Sequence, residues 1–159
     1  MGKVEVEVQG LLSQRGETLA TAESLTAGEL AALVSGPTGA SLVYLGGVIT
    51  YATALKRQIL GVSAKQVISA ECALQMAEGV RTLTQADWGL STTGVAGPDL
   101  QEEQPVGTVF VGVASATKTT VVALKLSFAA GQEQRAQIRK ATCEAAIEAL
   151  IERILAERP

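Results

Sequence analysis

Histidine is absent from this 159-residue sequence, and aromatic residues make up only 3% of it. Without histidine the chain cannot contain a Ser-His-Asp triad. With so few aromatic residues, a surface on which nucleic-acid bases stack is not expected. The two cysteines, Cys72 and Cys143, form no C-x-x-C pair. We therefore expect no metal site and interpret both cysteines as small buried apolar residues.

The charge balance and hydropathy are those of a single globular domain. Thirteen basic and 16 acidic residues give a net charge of −3, which does not favour general attraction to nucleic acid. No uncharged apolar run approaches the ~20 residues of a membrane span. Residues 1–5 carry mixed charge and lack the apolar core of a signal peptide. We expect one cytoplasmic domain over residues 1–159 that binds neither nucleic acid directly nor a membrane, and that can form a homo-oligomer.

Hydrophobic periodicity predicts strands alternating with helices. The predicted strands are 18–22, 42–51, 88–92, 107–115 and 119–128, and the predicted helices are 3–15, 26–35, 53–60, 70–86 and 132–157. Residues 3–15 also alternate like a strand, but their length favours a helix. Residues 116–118 are short enough to close a β-hairpin. The pattern predicts an α/β fold: a three-layer α/β/α sandwich on a mixed, mostly parallel sheet with a C-terminal β-hairpin and helix.

Three polar segments follow predicted strands, at residues 21–28, 50–56 and 93–98. In open α/β sheets, ligands bind beyond the carboxyl ends of the strands. We therefore expect these segments to meet in one cleft.

Ser24 lies where a strand turns into a helix. Free backbone N–H groups and the positive end of the helix dipole at such a point can stabilise an anion. A plain alternative is that Ser24 or Thr26 is an N-cap. If Ser24 is a nucleophile, the missing histidine leaves a lysine, a carboxylate or a bound water as its base.

Tyr51 and Lys56 leave the next strand and could face the same cleft. Lysine acts as a base only when neutral, and with a pKa of about 10.4 its deprotonation at pH 7 costs roughly 4.6 kcal/mol. Burial in an apolar cleft lowers that pKa because it disfavours the charge. The alternatives are that Lys56 is a solvated helix lysine and that Tyr51 is a core residue.

Two further features could hold an anion. The turn Gly94-Val-Ala-Gly97-Pro98 presents N–H groups suited to a phosphate or carboxylate, although it lacks the spacing of a P-loop or a dinucleotide fingerprint. Arg135 and Arg139 share one helical face and could clamp a phosphate. The alternatives are an ordinary turn and a solvated charged face.

Three ordered motifs resemble the CinA C-terminal domain family, and the similarity spans nearly the whole chain. Thr21-Ala-Glu-Ser-Leu-Thr-Ala-Gly28 is similar to T-A-E-S-C-T-G-G. Val48-Ile-Thr-Tyr51, Lys56 and Leu60-Gly-Val62 are similar to V-T-Y-x-x-x-x-K-x-x-x-L-G-V. Thr93-Gly-Val-Ala-Gly-Pro-Asp99 with Pro105-Val-Gly-Thr108 is similar to G-I-A-G-P-D and P-V-G-T-V.

The resemblance implies a nicotinamide mononucleotide deamidase that works as a Ser/Lys amidohydrolase without metal or cofactor. Ser24 would be the nucleophile, Lys56 the base and Tyr51 a supporting residue, with an oxyanion hole at the helix N-terminus after Ser24. Its pyridine nucleotide substrate would be released as nicotinate mononucleotide and ammonia. The expected substrate-binding residues are Glu23, Thr26, Thr93, Gly94, Gly97, Arg135 and Arg139.

The chain departs from the family pattern at the presumed phosphate loop. Leu100-Gln101-Glu102 replaces Gly-Gly-Thr, so that Asp99, Glu102 and Glu103 should repel a phosphorylated substrate. Leu25 and Ala27 replace a cysteine and a glycine, and Arg139 fits the family pattern better than Arg135. The alternative function is a non-catalytic CinA-like binding or regulatory module linked to competence or the DNA-damage response.

Overall fold

A computed structural model describes residues 2–158; Met1 and Pro159, the ends of the predicted domain, lie outside the described residues. Its helices are Lys3–Arg15 (α1), Glu29–Ser35 (α2), Thr53–Leu60 (α3), Ala70–Thr84 (α4) and Gln134–Ala156 (α5). Its strands are Leu19–Glu23 (β1), Tyr44–Ile49 (β2), Trp88–Gly94 (β3), Thr108–Ala114 (β4) and Thr119–Lys125 (β5), and a 3₁₀ turn, Ala40–Leu42, precedes β2. The predicted order of elements is confirmed, including the helix over 3–15.

Local sequence signals mark several helix ends. α1 and α3 are each followed by a glycine in the left-handed conformation, Gly16 at φ 64° and Gly61 at φ 68°. A residue without a Cβ adopts this conformation at little cost, and it allows the last carbonyls of a helix to be hydrogen-bonded. The Ser69 side chain accepts a hydrogen bond from the Cys72 N–H and caps the start of α4.

The five strands form one sheet in the order β2-β1-β3-β4-β5. β1 pairs in parallel with both β2 and β3, β4 is antiparallel to β3, and β5 is antiparallel to β4. Four strands therefore run in one direction and β4 opposes them, so the prediction of a mixed, mostly parallel sheet with a hairpin is confirmed. β1 and β3 are buried along their whole length, as expected for strands covered on both faces.

Helices cover both faces of the sheet and complete three layers. One core contains residues of α1, α2 and α5, such as Leu12, Leu30 and Ile147. The other contains residues of α3 and α4, such as Leu60 and Met76. Within residues 2–158, no helix is both long enough and apolar enough to cross a membrane.

α2 begins three residues later than predicted, at Glu29. Ala27 and Gly28 have φ values of 46° and 100°, so the chain turns sharply before the helix starts. The left-handed conformation costs a residue such as Ala27 about 1–2 kcal/mol. The turn matters for function because it carries the backbone that follows Ser24.

Candidate active site

Ser24 is the first residue after β1, at the carboxyl end of the central parallel strands. Its N–H donates to the carbonyl oxygen of Thr92 on β3 at 3.1 Å, which fixes its backbone to the sheet. Its side chain is not fully enclosed, because the residue retains 9% of its exposure and lines a cleft. Its Oγ lies 2.9 Å from Nζ of Lys56, which donates to it.

Lys56 is unusually buried for a lysine. It is 1% exposed, although it belongs to the short helix α3, most of whose residues face solvent. Its Nζ also donates to the carbonyl oxygens of Thr50 at 2.6 Å and Tyr51 at 3.2 Å. These carbonyls belong to the segment between β2 and α3, so the backbone itself orients the amine.

The three hydrogen-bond partners of Lys56 Nζ are compatible with both the ammonium form and the neutral amine. An ammonium group donates all three of its protons, to Ser24 and to the two carbonyls. A neutral amine has two N–H groups for the carbonyls of Thr50 and Tyr51, which directs its lone pair at the Ser24 hydroxyl. The same geometry can therefore accept a proton from Ser24, which is what a general base must do.

Burial lowers the pKa of the Lys56 amine below its usual value, because desolvation disfavours the charged form. Coulombic effects of Cys72 and of the Glu102 carboxylate act in the opposite direction and raise the pKa of the amine, but the Cys72 thiol contributes a charge only near its own raised pKa of about 11. The net result is a lowered pKa, so a larger fraction of Lys56 is neutral than would be the case for an exposed lysine at the same pH. Lys56 is thus not the solvated helix residue that the sequence left open.

The backbone after Ser24 offers a place for an oxyanion, though not the one expected. Glu23 is 1% exposed, and its carboxylate accepts hydrogen bonds from the N–H groups of Gly28, Leu30 and Ala31 at 2.9–3.1 Å. These are the donors at the start of α2, so Glu23 itself occupies the helix N-terminus. Within residues 2–158, the N–H groups of Leu25 and Thr26 have no acceptor, and they lie in the turn directly after the nucleophile candidate.

Three of the residues predicted to bind substrate are instead enclosed in the fold. Glu23 caps α2 from inside, as described above. Thr26 is completely buried, with its Oγ1 2.8 Å from Oγ1 of Thr92. Thr93 is also completely buried and donates to the carbonyl oxygen of Val67 at 2.6 Å. Their side chains are packed inside the fold, and none of the three lines the cleft.

The cleft beside Ser24 has a volume of about 240 Å³. Its lining includes Leu25, Tyr51, Arg135 and the chain from Gly94 to Gln101. Gly94 and Gly97 are therefore at the cleft, as predicted. In the part of the chain that the structure describes, the N–H groups of Ala96 and Gly97 have no acceptor, so this turn presents donors.

Arg135 reaches across the cleft from the start of α5. Its guanidinium donates to the carbonyl oxygen of Gly97 at 2.6 Å and to the Tyr51 hydroxyl at 2.8 Å. Tyr51 is 56% exposed, so it is a rim residue and not the core residue considered as an alternative. Both partners of Arg135 are neutral, and among residues 2–158 it takes part in no ion pair. Its positive charge thus remains available to an anion.

Arg139, the arginine that the sequence favoured, has other partners. Its guanidinium forms an ion pair with Glu29 at 2.9 Å and donates to the carbonyl oxygen of Thr26 at 3.3 Å. It does not line the cleft. The two arginines are one turn apart on α5: Arg135 lies at the cleft, whereas Arg139 contacts Glu29 of α2. The preference for Arg139 as the phosphate ligand is therefore not supported by its position.

The acidic residues of loop 99–104 do not all face the cleft. Glu102 turns inward, and its Oε1 accepts the Val67 N–H at 2.8 Å. Glu103 is exposed, and of the three carboxylates only Asp99 is a lining residue. Of the three charges expected to repel a phosphate, only that of Asp99 lies at the cleft itself. Sequence reasoning missed the inward position of Glu102 because it depends on the backbone conformation of the loop.

Both cysteines lie inside the fold. Cys72 and Cys143 are both buried free thiols, and burial raises their pKa to about 11 and about 12 respectively. Nowhere in residues 2–158 do three histidine, cysteine, aspartate or glutamate side chains gather as metal ligands would.

Residues 1–154 match the family model described as the CinA C-terminal domain. A CinA-like protein of Frankia casuarinae is 41% identical over 161 residues, which cover 98% of this chain and 36% of that protein. A Streptococcus pneumoniae protein named as competence-damage inducible is 44% identical over 133 residues, 80% of this chain and 31% of that protein. The chain spans about a third of the length of these curated relatives.

Solved structures share the fold along almost the whole chain. A CinA superfamily protein from Klebsiella pneumoniae 700603 superposes with a TM-score of 0.90 at 27% identity, covering 98% of both chains. The competence/damage inducible protein CihA from Agrobacterium tumefaciens gives a TM-score of 0.86 at 30% identity, covering 94% of this chain and 93% of that chain.

The lowered pKa of Lys56 predicts how stability depends on pH. Between that pKa and the usual value of 10.5, the unfolded chain binds a proton that the folded chain has released. Raising the pH through this window should therefore stabilise the wild type relative to Lys56→Met, by up to about 1.4 kcal/mol per pH unit. Urea denaturation of both proteins from pH 7 to 10 measures the difference.

The exposed Lys65 supplies the matched control. Lys65→Met keeps the buried amine, so its pH dependence should follow that of the wild type. A stability difference between wild type and Lys56→Met that is constant with pH, or that shrinks as pH rises, would contradict the assignment.

Proposed function

The chain belongs to the CinA C-terminal domain family, and from this premise we propose that it hydrolyses the carboxamide of nicotinamide mononucleotide to nicotinate mononucleotide and ammonia. The proposal rests above all on one contact, the 2.9 Å between Ser24 Oγ and the buried Lys56 Nζ. The contact supports a nucleophile paired with a base, and the adjoining cleft supports access for a small substrate.

In the acylation step, neutral Lys56 takes the proton of the Ser24 hydroxyl as Oγ attacks the carboxamide carbon. The carbonyl oxygen of the substrate then carries negative charge. Among residues 2–158, the N–H groups of Leu25 and Thr26 are the first donors after Ser24 that have no acceptor, and one oxyanion-hole donor is worth ~2.7–4 kcal/mol. The C–N bond breaks, the Lys56 ammonium returns a proton to the leaving nitrogen, and ammonia departs.

In the deacylation step, a water molecule takes the place of ammonia. Lys56, neutral again, accepts a proton from the water as its oxygen attacks the ester carbon on Ser24. The ester bond breaks and the proton passes back to Oγ, which restores the hydroxyl. The product leaves Ser24 as a carboxylic acid, which gives its proton to the released ammonia, so that a carboxamide and one water become a carboxylate and an ammonium ion.

The cleft has charges suited to this substrate. Arg135 offers a positive charge that forms no ion pair within residues 2–158, and the N–H groups of Ala96 and Gly97 add neutral donors for a phosphate. Asp99 lines the same cleft and carries a negative charge that complements the cationic pyridinium ring. A volume of about 240 Å³ is small for a whole nucleotide, so part of the substrate would extend past the rim.

A second candidate is a non-catalytic binding or regulatory module of the same fold. It is favoured by one observation: Leu100 and Gln101 line the cleft where the family pattern has two glycines. Larger side chains there narrow the approach to the cleft. The names of the relatives refer to competence and damage induction, which fits either candidate.

Ammonia release from nicotinamide mononucleotide by the purified protein separates the two candidates. Because Oγ is the attacking atom, Ser24→Ala should reduce turnover to the uncatalysed background. Lys56→Met should lower kcat about 10²–10⁴-fold, the usual contribution of a general base. The exposed Ser41 gives a matched control, Ser41→Ala, which should retain full activity. Absence of release in the folded wild type would favour the binding module, and equal release by Ser24→Ala would reject the nucleophile.

Arg135→Ala should raise KM for nicotinamide mononucleotide roughly tenfold or more while kcat changes less, because a hydrogen bond to a charged group contributes about 1.5–3 kcal/mol. Nicotinamide riboside, which lacks the phosphate, should show little change. Arg139→Ala is the matched control and should mainly lower stability, because it removes the ion pair with Glu29. An equal loss with both substrates, or a larger KM effect from Arg139→Ala, would place the phosphate elsewhere.

A further inference from the structure

The two edges of the sheet differ in their protection against pairing with another chain. β5 forms one edge, and Lys118 and Lys125 stand at its two ends. Lysines on an edge strand discourage such pairing. β2 forms the other edge and pairs with β1 alone among the described residues. No charged residue occurs between Glu29 and Lys56, so β2 and the segments on both sides of it lack the protection that β5 has.

The backbone of β2 is open to the approach of another strand. Its pairing with β1 is irregular at Leu45 and regular from Gly46 to Ile49. Gly46 has a φ of 139°, and a Cβ added there would meet no atom within 4 Å. Gly47 is required by the fold itself, because an added Cβ would collide with Thr21. A glycine within a strand that no internal contact requires is typical of a site where another backbone approaches closely, and Gly46 fits that description.

Exposed apolar side chains accompany this open edge. Five large hydrophobic residues on β2 and on the segments that flank it are between 38% and 73% exposed: Leu42, Leu45, Ile49, Tyr51 and Leu55. They make up nearly half of the large hydrophobic residues that are exposed in residues 2–158, although they lie within 14 consecutive positions. Single exposed hydrophobic residues are ordinary, but such a concentration marks an interaction surface.

We propose that the β2 edge binds a second copy of this chain, with β2 of one protomer antiparallel to β2 of its partner. A two-fold contact brings the same surface of both protomers together, so a charge near the axis would face a like charge. The uncharged β2 edge avoids that repulsion. A charged partner would find no opposite charge here, whereas a second copy supplies an equally uncharged and apolar edge.

The available surface is of the size that a stable dimer needs. All of residues 42–59 except Val43, Thr50 and Lys56 retain accessible surface, and a standard interface involves roughly 20–30 residues a side. Pairing would also join the two sheets into one and leave only the lysine-flanked β5 strands as edges. The inference does not depend on the proposed function, because the contact between Ser24 and Lys56 takes no part in it.

Sedimentation of the purified protein tests the proposal, with the same substitution placed on each edge in turn. The wild type should sediment as a dimer of twice 16.4 kDa at tens of micromolar. Leu45→Lys brings like charges to the paired edge and should raise the dimer dissociation constant roughly tenfold or more. Val122 is a 39% exposed residue of β5, so Val122→Lys is the matched control and should remain dimeric. A monomeric wild type, an unweakened dimer in Leu45→Lys, or dissociation by Val122→Lys would overturn the proposal.

Amide hydrogen exchange locates the contact without any substitution. Residues 44–49 should exchange more slowly as the concentration of the wild type increases, because pairing gives the outer N–H groups of β2 acceptors. Exchange in β5 should not change with concentration. Concentration-dependent protection of β5, or of neither edge, would overturn the proposal. Should Leu45→Lys fail to fold, Leu42→Lys, at a 73% exposed position just before β2, carries the same expectation for sedimentation.

Discussion

The burial of one amine determines the arrangement of this site. A lysine that is 1% exposed must find acceptors for its N–H groups, since an unpaired buried charge is among the costliest groups in a protein. Lys56 finds them in Ser24 Oγ and in the carbonyl oxygens of Thr50 and Tyr51. These partners come from the ends of two neighbouring parallel strands. Burial thus keeps the Lys56 amine in contact with Ser24 Oγ, and the backbone hydrogen bond of Ser24 to β3 keeps the serine at the cleft.

A second buried charge organises the backbone around the serine. The Glu23 carboxylate binds the N–H groups that begin α2, so it replaces any external anion at that helix end. The turn between the strand and the helix is thereby held in place, with the N–H groups of Leu25 and Thr26 left without acceptors in the described chain. At the rim of the cleft, the Arg135 guanidinium donates hydrogen bonds to both the Tyr51 hydroxyl and the Gly97 carbonyl oxygen, and so connects the two segments.

The sequence predicted the fold and the convergence of the site, but not the direction of every polar side chain. Hydrophobic periodicity and glycine positions identify the elements. Parallel strands bring their carboxyl ends together, which is why Ser24, Lys56 and Tyr51 were predicted to share one cleft, and the structure brings them together. Whether Thr93 faces a cleft or a neighbouring helix depends on which side chains pack over it, and the residue type is the same in both cases. Arg135 and Arg139 differ only by one helical turn. The inward position of Glu102 follows from left-handed φ values that its sequence does not favour.

The central claim is that Lys56 makes Ser24 nucleophilic, and reaction with a fluorophosphonate tests it without assuming any substrate. Intact mass measurement after exposure of the purified protein should show one adduct, and peptide mapping should place it on Ser24. In Lys56→Met, labelling should be far slower at the same pH, because the proton of the hydroxyl has no acceptor. No adduct in the wild type, an adduct on another residue, or equal labelling rates in both proteins would contradict the account.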